Sequence, residues 1–406
     1  MEVFMKRWLL RISAMAALFL SSMGCDSLMT GLPPAGDDFE TPFEGLSHDL
    51  NLAFAEGDEN FEHAFTAAEG LGPIFNNNAC GACHPGDGRG TPELGFFRFS
   101  RLDDMALGEG GAQHQDKALP GIPLEILPAG VDTTFRMPPP VFGVGLIEAI
   151  PVETILENED PDDADGDGIS GRANMVQAPD FVPAWHVGGG EGPQLGRFSR
   201  KAQVSSLLEQ VAAAYQQDMG VTSDFIPEEN PHHQAGGVAI GDNVPDPEIP
   251  ASTVLETLIY VRLLAPPARG EKTDEVGLGE EKFTEIGCAA CHIPSLKTGE
   301  NPIAELSEVE AHLYSDLLLH DMGPDLADGR ADGMADESEW RTAPLWGTRL
   351  VADFLGGEAF YLHDGRATSL REAIELHGGE AEKSKDRFGA LSENDKQALI
   401  VFLKSL

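Results

Sequence analysis

The sequence predicts a mainly α protein built of two similar halves with long irregular loops, and three observations carry that reading. A five-residue unit, Cys-x-x-Cys-His, stands at Cys80–His84 and again at Cys288–His292. Apolar residues recur at helical spacing ahead of each unit and between them, while no sustained alternation marks a strand. The 46 glycines and 28 prolines assign much of the rest to turn and loop. With 406 residues, 41% of them hydrophobic, the chain is long enough for two cores.

The elements follow in chain order. Lys6, Arg7 and Arg11 precede the short apolar run "ISAMAALFLSSM", which is the pattern of a secretory signal over residues 1–25. The mature protein is therefore expected in the periplasm or cell envelope. "SSMGC" resembles a lipobox with Ser22 where Leu is usual, so Cys25 is a candidate for lipidation, with plain cleavage as the alternative. No later run reaches 18 apolar residues, which leaves a lipid anchor as the expected contact with a membrane. Residues 26–45, rich in Pro, Gly and acids, read as a flexible tether.

Phe61, Ala64, Phe65 and Ala68 lie at i, i+3, i+4 and i+7, predicting a helix that leads into Cys80. Val204, Leu207, Leu208, Val211, Ala212 and Tyr215 mark a second stripe. A third helix is expected from Thr253, whose "TVLE" is a capping box, to Pro266-Pro267. The polar stretch after it divides the chain into domains at 46–268 and 269–406. Phe283 and Ile286 then repeat the approach to a cysteine pair, at Cys288. "SLRE" at 369–372 opens a short helix closed by Gly378-Gly379, and Ser392 caps a last helix running through Leu403. "RMPPPVFGVGL" (136–146) and "RTAPLWGTRL" (341–350) share Arg, Pro-x-aromatic-Gly and a later Leu, as a duplicated chain would.

Acids outnumber bases 68 to 27, a net charge of −41, which excludes a nucleic-acid surface and an anionic membrane face. The same charge suits a basic soluble partner or simple solvation.

Three chemistries compete for Cys-x-x-Cys-His. A redox dithiol does not need the His and usually sits in a βαβ setting, which is missing. Zinc wants its two cysteine pairs close in sequence, and a whole domain separates these. Covalent haem uses every position: the thiols join one edge of the porphyrin, and one turn later the His meets the iron. Two such units in an exported chain, using every cysteine except Cys25, point to two c-type haems. Their sixth ligands decide what the pair does, because Met raises the reduction potential and an open position suits chemistry on an oxygen ligand. Met322 is the first choice at the second site, with His320 and Met334 as alternatives. His114, Met137 and Met219 are open for the first, as is an empty position. Asp163, Asp165 and Asp167 before Gly168 have the oxygen spacing of an EF-hand calcium loop, although its twelfth position is Asn174 rather than Glu.

"LGPIFNNNACGACHPGDGRG", "VGLIEAIP", "DPDDADGDGISGRAN", "HDMGPDLADGR", "EWRTAPLWG" and "FYLHDGRATSLREAI" together resemble the bacterial dihaem oxidoreductase family, which is related to dihaem cytochrome c peroxidases. The resemblance covers roughly residues 60–406 and implies two cytochrome-c-like haem domains facing each other. It places Cys80, Cys83 and His84 at one haem and Cys288, Cys291 and His292 at the other, and puts Met322 in the family's "HDMG" segment. The family's Gly-Trp is Ser199-Arg200 here, leaving Trp185, Trp340 and Trp346. The resemblance implies reduction of hydrogen peroxide at one haem, with electrons delivered through the other by a small donor such as a soluble cytochrome or cupredoxin. Glu148 is the candidate general base and Arg136 the candidate charge stabiliser. The alternatives are a dihaem electron carrier and a ferryl-haem oxidase of an organic or protein substrate.

Overall fold

The structure is a computed structural model that describes residues 38–101, 106–109, 111–184, 192–236, 240–242 and 244–406. The expected signal segment, Cys25 and Trp185 lie outside the described residues. The helices are α1 His48–Glu62, α2 Val144–Ala149, α3 Val152–Leu156, α4 Leu207–Met219, α5 Ala251–Leu263, α6 Asp274–Glu285, α7 Val351–Phe354, α8 Leu370–Glu375, α9 Glu382–Ala390 and α10 Glu393–Leu403. Strands occur only in antiparallel pairs among the described residues. The longest joins β1 (Phe96–Ser100) to β2 (Asp132–Arg136), with Phe96 opposite Arg136. The mainly α reading holds.

The duplication is built into the helix crossings. In the first half α1 crosses α5; in the second α6 crosses α10. Each crossing closes at a glycine. A Cβ on Gly57 would collide with the Glu256 carbonyl and stand 2.6 Å from Tyr260 Cβ. One on Gly279 would collide with the Ala398 carbonyl and stand 2.6 Å from Phe402 Cβ. Four residues on, Phe61 packs 5.3 Å from the Tyr260 ring and Phe283 packs 5.2 Å from the Phe402 ring. The same two phenylalanines then meet the histidines of the Cys-x-x-Cys-His units. Phe61 lies 6.3 Å from His84 at 51°, and Phe283 lies 6.2 Å from His292 at 54°. A helix pair, a glycine contact and an aromatic step thus set each unit in the same local frame.

The two frames meet at the repeated Pro-x-aromatic-Gly. Gly143 and Gly347 both adopt left-handed backbone, at φ 72° and 74°. The bare α-carbon of each faces the other half's aromatic ring. A Cβ on Gly143 would lie 2.5 Å from Trp346 Cζ2, and one on Gly347 would lie 2.5 Å from Phe142 Cζ. The contact is reciprocal, as at a two-fold interface where each side offers the same patch.

Several boundaries differ from the sequence reading. The first helix is α1, capped by the Ser47 side chain; it ends at Glu62, and His63 is extended. Phe65 is buried beyond it, with its N–H on the Asn78 carbonyl, so its spacing reflects core packing rather than helix. The third helix starts at Ala251, with Pro250 as cap residue and the Asp224 carboxylate accepting the Ala251 N–H. A side chain distant in sequence therefore supplies the cap expected of Thr253. The packed chain begins inside the expected tether, since Phe39 is buried and stacks on Phe142 at 4.6 Å. The core also ignores the 268/269 division. Leu296, Leu306, Leu313, Leu317 and Leu318 join the cluster built on α2, α4 and α5, while α6, α8 and α10 enclose a smaller one.

Gly143→Ala and Gly347→Ala each add a strained left-handed residue and an overpacked contact, a cost of about 2–4 kcal/mol. Denaturant unfolding should show that loss in both variants, and a control Ala at the open, exposed-turn Gly356 should show only its backbone strain of about 1–2 kcal/mol.

Candidate functional site

Each Cys-x-x-Cys-His unit winds a single turn. The His84 N–H reaches the Cys80 carbonyl and the His292 N–H the Cys288 carbonyl, both at 3.0 Å. Gly287, left-handed at φ 95°, turns the chain into the second unit. All four cysteines are free thiols and half-buried. Burial pushes Cys83 up to about 11, with the Asp218 charge adding, and Cys288 up to about 12, with Cys291 adding. Cys80 and Cys291 are raised as well, again chiefly by burial. Thiols held protonated are poor redox nucleophiles, which weighs against the dithiol reading. The zinc reading fails on placement: among the described residues, the four sulfurs form no common metal-binding group.

Both units line one cavity of about 470 Å³, together with Phe142, Trp340 and Trp346. Its wall is largely apolar, and into it come four arginines, the buried Arg197 and the half-buried Arg89, Arg200 and Arg341. None has an ion-pair partner among the described residues; backbone carbonyls hold them instead. Arg89 donates to Leu362 at 3.2 Å, Arg200 to Met137 at 2.8 Å and Arg341 to Ser199 at 3.1 Å. Arg197 serves the carbonyls of Ile147, Glu148 and Ile150 at 3.1, 3.2 and 2.7 Å. The Nε atoms of Arg89, Arg197 and Arg200 are buried without a partner. Burial lowers all four guanidinium groups, and for Arg200 the charges of Arg89, Arg341 and Arg136 add to it. In a chain of net charge −41, cations with buried, unbonded Nε atoms and no ion-pair partner among the described residues mark a place for an anion.

The residues singled out in the sequence fall on both sides of this wall. His84, His292, His320 and Met322 line the cavity, as does Met219. His320 is spoken for: its Nε2 meets Asp316 at 2.8 Å and its Nδ1 meets Glu380 at 2.7 Å. Met334 is 52% exposed, and His114 Nε2 sits on the Glu125 carbonyl. Glu148 lies outside the lining. Its Oε2 pairs with Arg262 Nε at 2.6 Å and its Oε1 accepts the Leu207 N–H at 3.0 Å, tying α2 to α4 and α5. Arg136 also stands outside, against Asp328 and Asp332 and over the Trp340 ring. These are the expected base and charge stabiliser; both Glu148 oxygens and Arg136 Nη2 bind groups that pack elements together.

The calcium pattern also changes on folding. Asp160 joins Asp163 and Asp165 as the carboxylates that lie close together. Asp167 instead accepts the Ile169 N–H at 2.8 Å, and Asn174 turns away to Lys201 and Asp332 carbonyls. Loop N–H groups already occupy Asp163 and Asp165.

Two cavity histidines were missed. His363 stacks on Trp340, centroids 3.7 Å apart and 11° from parallel, and neither ring nitrogen makes a hydrogen bond among the described residues. His377 follows α8, with Nδ1 on the Ala373 carbonyl at 2.6 Å. The available signal was a His beside Gly in "LHDGR" and "LHGG", off any apolar stripe.

A cavity shared by two Cys-x-x-Cys-His turns defines a redox protein with two paired centres. The chain belongs to the di-haem oxidoreductase family: the family model described as "Di-haem oxidoreductase, putative peroxidase" matches residues 28–102 and 120–406. No curated protein matches it. Among solved structures it is similar to the hydrazine synthase of Kuenenia stuttgartiensis, at 15% identity, TM-score 0.39, over 93% of this chain and 98% of that one. A MauG-like protein associated with microbial copper homeostasis is similar at 13% identity, TM-score 0.41, over 93% and 94%.

Family membership implies haem, and the residues fit it. An apolar cavity with unneutralised arginines and orphaned Nε atoms suits a flat apolar group that carries carboxylates. Cys80, Cys83 and His84 would hold one such group and Cys288, Cys291 and His292 the other, with the four arginines available to the propionates.

Glu148→Gln should lower stability by about 2 kcal/mol through the weakened contacts to Arg262 and Leu207. Turnover measured beside a melting curve should show an unaltered rate with the lowered midpoint; a lost rate at full stability would return Glu148 to the chemistry.

Proposed function

We propose that this protein is an exported oxidoreductase that reduces hydrogen peroxide with two covalently held c-type haems. The observation that carries the reading is the shared cavity: both Cys-x-x-Cys-His units face it, as does buried His363, which makes no side-chain hydrogen bond among the described residues. When bound, one haem would supply cleavage of the peroxide O–O bond and the other would supply electrons.

The chain's own residues supply the proton handling. Burial holds His363 down to about 4, with Arg366 and Arg200 opposing its protonation and Asp364 and Asp328 only partly compensating. The imidazole is therefore neutral at neutral pH. Asp364 Oδ2, 3.7 Å from Nε2, favours the tautomer with the proton on Nε2. Nδ1 is then left to accept a proton from peroxide and return it to the leaving oxygen. Trp340 fixes the ring plane, and Lys201 and Arg136 over the Trp340 face hold that ring in turn. The arginines keep the cavity positive and draw in a small polar oxidant, while the apolar wall excludes bulk water. A soluble cytochrome or cupredoxin with a basic face is the fitting electron donor, because the chain's net charge of −41 steers such a partner.

His363→Gln should reduce the peroxide reaction of the reduced protein by about 10²-fold or more. Because the folded His363 titrates near 4, the wild-type rate should stay level from pH 8 down to about 5 and fall only below that. Stopped-flow haem oxidation tests both. An acid limb centred near the ordinary histidine value of about 6.5, or an undiminished variant, contradicts the assignment.

A further inference from the structure

We propose that His377 is the second axial donor at the Cys288–Cys291–His292 site, so that the haem there is held by two imidazoles. The proposal rests on the two-haem reading and adds a ligand that the sequence pattern did not suggest.

The geometry of His377 is that of a prepared ligand. A metal-bound histidine almost always gives its other ring nitrogen to a carbonyl or carboxylate, which fixes the tautomer and aims the free lone pair. His377 Nδ1 donates to the Ala373 carbonyl at 2.6 Å, and Nε2 has no partner among the described residues. His292 is built alike, with Nδ1 on the Tyr314 carbonyl at 2.9 Å. Both rings line the same cavity.

The other donors at this lobe fit less well. Both nitrogens of His320 are taken by Asp316 and Glu380. Met322 remains the competitor. It lies on a neighbouring segment, where a Cβ on Gly378 would stand 2.9 Å from its carbonyl, and among the described residues its side chain has no fixing hydrogen bond like that of His377. The two donors predict different potentials, since a methionine ligand raises the potential and a second imidazole does not.

The test uses full-length protein from a host that matures c-type cytochromes, with haem content measured first as the pyridine haemochrome. Two haems per chain uphold the underlying reading; fewer would defeat that reading separately. Ferric wild type should lack the far-red charge-transfer band of methionine-ligated iron, and near-infrared magnetic circular dichroism should place one haem in the bis-imidazole class. His377→Ala should convert one of the two haems from low-spin to high-spin, and Met322→Leu should leave the spectrum unchanged. A methionine band that Met322→Leu removes would overturn the proposal, as would a low-spin pair that survives His377→Ala. If His377→Ala does not fold, the wild-type near-infrared band decides alone.

Discussion

The fold depends on an exchange of space between its halves. Phe142 and Trp346 each need room where the other half has a glycine, and left-handed backbone lets that glycine end one segment and start the next helical turn. Neither half can shift without losing its own aromatic contact. The exchange sits in the cavity wall, so it also fixes how the two Cys-x-x-Cys-His turns are presented to one space. The helix crossings at Gly57 and Gly279 extend the same logic outward, each carrying one phenylalanine to one histidine.

Charge divides the molecule by depth. The outside is strongly acidic, while the cavity gathers arginines held by carbonyl oxygens rather than by carboxylates. Such an arrangement is costly until an anion arrives, because a buried guanidinium without a counter-charge loses its hydration. A deeper network offsets part of this. Asp332 lies among Arg98, Arg136 and Arg330, and although burial acts to raise its carboxyl, their charges bring it well below the usual carboxylate range. Arg136 thus belongs to the frame beneath the cavity and not to its surface.

Local and repeated features were legible in the sequence. The Cys-x-x-Cys-His turns, the Pro-x-aromatic-Gly repeat and the caps at Ser369 and Ser392 are short-range patterns whose physics acts within a few residues. The ion pair of Glu148 is not legible in the sequence, because a carboxylate in an apolar stretch says nothing of Arg262, 114 positions away. The cap of α5 comes from Asp224 and the partners of Asn174 come from Lys201 and Asp332, which no local pattern reveals. His363 and His377 were passed over because an isolated histidine near glycines reads as loop; only folding brings them to the cavity. Ser199 adopts left-handed backbone, at φ 66°, and Arg200 after it lines the cavity.

The proposed function requires a haem on each cysteine pair, both in one shared space. Intact mass, followed by peptide mapping, measures this most directly on protein from a cytochrome-maturing host. The account predicts a gain of two haem groups, one on the peptide holding Cys80 and Cys83 and one on that holding Cys288 and Cys291. Unmodified peptides with four alkylatable thiols would contradict it.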